Sequence, residues 1–265
     1  MLPNGWGASY AIAPAVLAAC APANLDAIEP GDLTSDLIAH YTFDEDGGTV
    51  VHDYSPGGNL VGALVSDSGT SLWLPDGGRF GGALHFDGES YVSVDSFPWA
   101  VPNFTVSTWL RWNGAMDAVQ TVLSTEVVFD GGWQINAQEI NDSGFEMQAA
   151  FADPALADAS LGDDYRFLNA PLPEAGAWTH FAFVVDETPP PTLTIYLNGN
   201  RLTSTSAPNP IRHGTPNLLM GRWSQMGRFL VGDLDDVTIY QRALQATEIA
   251  DLYHAPLPAP LPDQL

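Results

Sequence analysis

Two short stretches of the chain combine the side chains that grip sugars, which need flat aromatic faces beside amides, carboxylates or guanidinium groups. In Trp133-Gln134-Ile135-Asn136 the alternation of an extended strand puts Trp133, Ile135 and Ala137 on one face and Gln134 and Asn136 on the other. Arg222-Trp223 sets a planar cation beside an indole at the end of a strand, where both could reach a loop rim. A third kind of chemistry lies in acidic turns at Asp44-Glu45-Asp46, Asp53 to Asn59 and Asp233 to Asp236. Such turns offer the carboxylate and carbonyl oxygens that calcium collects, six to eight at a time.

Catalysis is less well supplied. Glycosidic cleavage uses two carboxyl groups roughly 5–10 Å apart, and no Glu-x-Asp-x-x-Glu run is present to place them on one strand face. Asp233-x-Asp235-Asp236 comes nearest, while Glu139 and Glu146 fit turn ends as well as a cleft. There is no Gly-x-Ser-x-Gly, and the six histidines (40, 52, 85, 180, 213 and 254) include no helical pair for zinc. His180, Trp109, Trp112 and Trp178 read as core residues.

The single cysteine, Cys20, cannot form an internal disulfide or a thiolate metal cluster. It ends a weakly apolar run, residues 6–19, that is too short to span a bilayer and is interrupted by Pro14. Leu17-Ala18-Ala19-Cys20 resembles a bacterial lipobox, in which the cysteine carries a lipid anchor. Met1 to Cys20 holds no Lys or Arg, however, where a signal segment opens with positive charge. The alternative is a plain tail. Either way residues 1–33 are expected to stand apart from the fold, as a leader or tether.

The elements that must position these groups are strands. Gly and Pro together make 46 of 265 residues, and period-two alternation bounded by turn signals recurs from Leu37 onward. Leu37–Phe43, Ala83–Phe86, Tyr91–Val94, Phe104–Trp112, Thr121–Phe129, Trp133–Ala137, Phe145–Phe151, Trp178–Val185, Leu193–Leu197, Arg201–Ser204, Leu218–Arg222 and Val237–Tyr240 are the expected strands. Asp87-Gly88 is expected to close a hairpin and Asn198-Gly199 a type I′ turn. Residues 153–176 read as a long loop. Leu244, Glu248, Ile249, Leu252 and Tyr253 share one face of a short helix at one end of the sheets. About a dozen strands and one helix indicate a two-sheet sandwich over residues 34–254, followed by a Pro-rich tail, 255–265.

Charge narrows the partners. Eight cations, all Arg, stand against 23 Asp and 9 Glu, for a net charge of -24. Such a surface repels nucleic-acid backbones and anionic membranes. With 45% hydrophobic residues the chain is nonetheless globular.

Three blocks together resemble the laminin G-like, concanavalin A-like domains of bacterial secreted proteins. They are His40-Tyr41-Thr42-Phe43-Asp44 with the turn Asp53 to Asn59; Phe86-Asp87-Gly88, Phe104 to Trp109, Trp178-Thr179-His180 and Leu193 to Gly199; and Gly232 to Leu244 with Glu248 to Tyr253. Gln245 departs from the usual Ser at the helix cap. The resemblance implies an all-β antiparallel jelly roll of two curved sheets. It also implies a structural calcium where first and last strands meet, held by Asp44 and Asp235 with Asn59 as a further ligand; Asp236 is expected on the opposite face. The function expected is a non-catalytic, extracytoplasmic binding or adhesion module for a glycan or a protein, with Trp133, Gln134, Asn136, Arg222 and Trp223 as contacts. A glycoside hydrolase or polysaccharide lyase on the same fold, or a purely structural envelope protein, are the alternatives.

If Cys20 carries a lipid, Cys20→Ala will move the protein out of the membrane fraction or block its processing. Unchanged fractionation of that variant excludes the anchor.

Overall fold

The computed structural model describes residues 32–66, 72–98, 102–114, 119–125, 132–139, 145–152, 165–206, 217–223 and 227–257. Among them are sixteen strands and one helix. The strands are β1 (Leu37–Tyr41), β2 (Val50–Val51), β3 (Gly62–Val65), β4 (Trp73–Leu74), β5 (Ala83–Asp87), β6 (Tyr91–Val94), β7 (Phe104–Trp112), β8 (Gln120–Ser124), β9 (Trp133–Glu139), β10 (Phe145–Ala152), β11 (Tyr165–Pro171), β12 (Trp178–Asp186), β13 (Thr192–Leu197), β14 (Asn200–Ser206), β15 (Leu218–Met220) and β16 (Val231–Tyr240); the helix is α1 (Ala246–His254). They form two eight-stranded antiparallel sheets, the expected jelly-roll sandwich. The first runs β14-β13-β12-β7-β16-β5-β4 with β1 also on β16, the second β11-β10-β9-β8-β15-β6-β3-β2.

One apolar face of each sheet is buried against the other. Phe104, Val106, Leu110 and Trp112 of β7 and Phe181, Phe183 and Val185 of β12 meet Trp133, Ile135 and Ala137 of β9 and Met147, Ala149 and Phe151 of β10 in one continuous core. Burying each of these larger side chains contributes about 1.5–3 kcal/mol. The alternate residues point away from this core, and the two sheets use them differently.

On the first sheet the outward face is itself covered. Helix α1 and the turn before it lay Leu244, Ile249 and Leu252 over Ala182, Val184, Tyr196 and Tyr240, forming a second apolar cluster that also takes in Leu257. The helix therefore packs on a sheet face rather than at the end of the sandwich, and the first residues of the Pro-rich segment belong to the fold. Its start is held by Glu248, whose Oε2 accepts the Gln245 N–H at 2.8 Å while Arg242 pairs with the same carboxylate.

Three expectations change. Asp87-Gly88 does not close a hairpin: β5 pairs with β16 and β4 while β6 pairs with β15 and β3, so the turn carries the chain from one sheet to the other. Part of the expected loop 153–176 is strand β11, which pairs along its whole length with β10. Its inward residues, Leu168 and Ala170, are modest, and that hid the alternation. The expected Thr121–Phe129 strand is β8 up to Ser124, and its residues beyond Thr125 lie outside the described ones. Asn198 and Gly199, at φ +49° and +75°, do make the I′ turn between β13 and β14.

His180 is buried on the covered face of the first sheet. Its Nε2 lies 2.7 Å from the Ser107 hydroxyl, and its ring packs beside Trp109 and Tyr253. Burial pushes the imidazole down to about 3 from an ordinary 6.5. The unfolded chain takes up this proton below about pH 6.5 and the folded chain does not. The stability His180 contributes is thus complete above pH 6.5 and drains away on acidification. Urea midpoints of the wild type are expected to fall between pH 7 and pH 5, and those of His180→Gln, already lower at pH 7, to fall less. Parallel declines refute this role.

Candidate functional site

The outward face of the second sheet carries a polar row built by strand register. Thr121, Asn136, Gln148 and Asn169 are direct cross-strand partners on β8, β9, β10 and β11. Ser124, Gln134, Ala150 and Phe167 form the row beside them. Each residue faces out because its neighbours along the strand are apolar and face the core. The Thr121 hydroxyl donates to Asn136 Oδ1 at 2.8 Å, Gln138 Nε2 to Gln148 Oε1 at 2.7 Å, and Gln148 Nε2 to Asn169 Oδ1 at 3.1 Å. An amide ladder results, with donors and acceptors held in fixed directions.

Gln134 and Asn136, the residues singled out from sequence, are 5% and 1% exposed, yet Gln134 Oε1 and Asn136 Nδ2 have no hydrogen-bond partner. A buried amide atom without a partner costs roughly 1–3 kcal/mol. Arg222 and Trp223 follow β15 on the same sheet, and the Arg222 carbonyl accepts the Ser124 hydroxyl at 3.0 Å. The Arg222 guanidinium lies 4.6 Å from the Tyr91 ring centre and 5.3 Å from that of Phe229. Arg222 Nε and Trp223 Nε1 are likewise buried without partners. Trp223 is buried, with the Arg228 guanidinium 4.2 Å from its ring centre.

Trp133 does not join them. At 2% exposure its indole stacks on Phe104 in the core, so it has no face to give a sugar. Thr121, Ser124, Gln148 and Asn169 escaped sequence reasoning. Gln148 carried a signal, sitting between inward Met147 and Ala149, but its neighbours in the row are distant in sequence.

The acidic residues meet elsewhere. Asp44 and Asp235 both grip the 78–82 loop: Asp44 Oδ1 accepts the Gly82 N–H at 2.6 Å, and Asp235 Oδ2 the Phe80 N–H at 2.8 Å. Gly78 is required there, because a Cβ would strike the Gly82 carbonyl and Asp235 Oδ2. Asp235 is fully buried, and its Oδ1 has no partner. Burial pushes its carboxyl up to about 8, and the charges of Asp236 and Asp44 add to this against the pull of the Phe80 N–H.

Asp236 departs from expectation. A bulge in β16 after Asp235, with Asp236 at φ +52°, breaks the alternation. Asp236 then lines a cleft of about 500 Å³ with Thr42, Asp44, Phe80, Gly81, Pro256 and Leu257, and its Oδ1 lies 2.6 Å from His40 Nε2. Asn59 is on an exposed turn and does not line the cleft. That turn is held by Asp53, whose carboxylate accepts the His40, Ser55 and Leu60 N–H groups. Among the described residues no group of three or more His, Cys, Asp or Glu is arranged to hold a metal. Any cation in the cleft would take much of its coordination from backbone carbonyls. Cys20 and the Glu139 side chain lie outside the described residues.

The pattern of the concanavalin A-like lectin/glucanases superfamily, laminin G type, matches residues 86–250. The chain belongs to this family. Its fold is shared by domain 4 of AbnA, an extracellular GH43 arabinanase of Geobacillus stearothermophilus, solved in complex with arabinotriose. That likeness has a TM-score of 0.59 at 20% identity over 83% of this chain and 98% of that one. The binding domain of Paraclostridial Mosquitocidal Protein 1 is similar at TM-score 0.62 and 17% identity, and the botulinum neurotoxin type G receptor-binding domain at 0.56 and 15%. Each covers 83% of this chain, which in turn spans about half of each toxin domain. No curated protein matches the chain in sequence.

Proposed function

We propose that this laminin G-type chain is a non-catalytic recognition module that works outside the cytoplasm and binds a glycan on the amide-lined face of its second sheet. The observation that carries the reading is the set of buried polar atoms without partners, Gln134 Oε1, Asn136 Nδ2, Arg222 Nε and Trp223 Nε1, on one sheet. Sugar hydroxyls both donate and accept, and would satisfy the donor and acceptor of neighbouring Asn136 and Gln134 together. The arabinotriose complex of the AbnA domain and the receptor-binding role of the toxin domain lend support from the same fold. Hydrolysis or lyase chemistry is the second reading. It requires a pair of carboxyl groups, and at the described outward positions of β8–β11 Glu146 stands without a second.

Calorimetric titration of the full chain with arabinotriose and a panel of neutral and acidic oligosaccharides tests this. Saturable binding without new reducing ends or unsaturated uronates is expected, and Gln134→Ala or Asn136→Ala should each weaken it about tenfold. Product formation would make the chain an enzyme; no binding across the panel would remove the glycan reading.

Calcium belongs to the same proposal, as a structural ion. Asp44 and Asp235 would hold it, with carbonyls of the 78–82 loop beside them. The buried, unpartnered Asp235 Oδ1 is the atom that fits a cation. Binding to the folded state alone at a hundredfold excess over Kd adds about 2.7 kcal/mol, which raises melting by about 5–10 °C. EGTA is expected to reverse that rise, and Asp235→Asn to show little of it. Identical melting in EGTA and in millimolar calcium excludes the ion.

A further inference from the structure

We propose that the open row His85, Asp233, Arg111 and Trp178 on the outward face of the first sheet, with Arg79 beside it, is a second binding site and takes a uronic-acid oligosaccharide by its carboxylate. The row lies on the other sheet from the amides, so it stands or falls apart from them. Strand register builds it: His85 of β5 pairs with Asp233 of β16, Asp233 with Arg111 of β7, and Arg111 with Trp178 of β12. Helix α1 and the 78–82 loop cover this face at the preceding row, where Tyr253 stacks on Trp109 and Phe80 packs perpendicular to it. One step further the side chains stand open, that of His85 40% and that of Arg111 30% exposed. Trp178, read from the sequence as core, also faces outward and is only partly buried.

Asp233 commits both carboxylate oxygens within the row: Oδ1 lies 2.6 Å from His85 Nδ1, and Oδ2 accepts the Arg111 Nε–H at 2.7 Å. The two Nη groups of Arg111 are left without a hydrogen bond among the described residues, while its guanidinium lies 4.8 Å from the Trp178 ring centre. Arg79 is exposed and forms no ion pair among the described residues. Its guanidinium lies 4.7 Å from the ring centre of Trp109, the outward residue two before Arg111 on β7. A guanidinium held against an aromatic ring offers its N–H groups as a ready fork, the geometry that a carboxylate matches. His85 adds the complement. A carboxylate can only accept, so Nδ1 carries the proton toward Asp233 and the neutral ring turns an accepting Nε2 outward. A uronate supplies both halves, a carboxylate for the arginines and ring hydroxyls to donate to Nε2. An acidic peptide side chain brings the carboxylate alone. The net charge of -24 repels an anion at long range, but salt screens that repulsion over about 8 Å at physiological ionic strength, so the contact groups decide.

The test titrates the full chain with trigalacturonate and with triglutamate, in EGTA so that no calcium bridges the carboxylates. It compares the wild type with Arg111→Lys, Arg79→Gln and Gln134→Ala. Trigalacturonate is expected to bind saturably, about tenfold more weakly in Arg111→Lys, which keeps the charge and loses the fork, and about three- to fivefold more weakly in Arg79→Gln. Gln134→Ala should bind it like the wild type, and triglutamate should bind at least about tenfold more weakly than trigalacturonate. Should Arg111→Lys melt below the wild type, Arg79→Gln, at an exposed position, carries the comparison. Trigalacturonate that does not bind, or that binds undiminished to the arginine variants, overturns the site. Binding lost in Gln134→Ala instead moves the acidic sugar to the second sheet, which overturns this site and leaves the glycan reading in place. Triglutamate binding as tightly as trigalacturonate overturns the sugar and makes the row a site for acidic peptides.

Discussion

Burial of one face of each sheet against the other decides what every remaining side chain is free to do. Once Phe104, Phe181 and Phe183 meet Trp133, Ile135 and Met147, strand alternation sends the intervening residues outward. On the first sheet those residues include Ala182, Val184 and Tyr240, which are apolar and call for a cover, and helix α1 supplies it. On the second sheet they are Gln134, Asn136, Gln148 and Asn169, where Thr121 bonds to Asn136 and Gln148 to Asn169. The sandwich thus has one outward face covered by an apolar helix and one lined by amides and hydroxyls.

The excess of acids is partly consumed inside the fold. Many of them accept backbone N–H groups: Asp53 ties β1 to the following turn, Asp44 and Asp235 hold the 78–82 loop, and Asp186 takes the Thr188 N–H. The scarce cations are used with equal economy. Arg79, Arg111, Arg222, Arg228 and Arg242 each lie over an aromatic ring, where a planar guanidinium gains from the π face. Neither use builds a basic patch among the described residues.

Membership of the concanavalin A-like superfamily accounts for the frame, and the solved domains of the same fold include binding domains of otherwise different proteins. At 12–20% identity the likeness covers the fold alone, so function rests on the groups this chain displays. Asp235 and the amide row both hold buried polar atoms without partners. One lies at the meeting of β1, β16 and the 78–82 loop, the other on the opposite sheet.

Twelve of the sixteen described strands, the final helix and the sandwich class were legible because alternation and helical spacing are local properties of a few successive residues. By the same rule Gln134 and Asn136 separate from Ile135 on residue order alone. Which face would be the core was not local: Trp133 lies in it because β9 packs opposite Phe104. The Asp87-Gly88 turn has the sequence of a hairpin, yet partners for β5 and β6 are chosen by β16 and β15, far along the chain. Asp236 was placed wrongly because a bulge breaks the period-two rule that assigned it. Sequence alone determined the faces of the strands wherever no bulge interrupts them; only tertiary packing decided which strands stand side by side, since cross-strand neighbours such as Thr121, Asn136, Gln148 and Asn169 meet through register between segments that no local pattern connects.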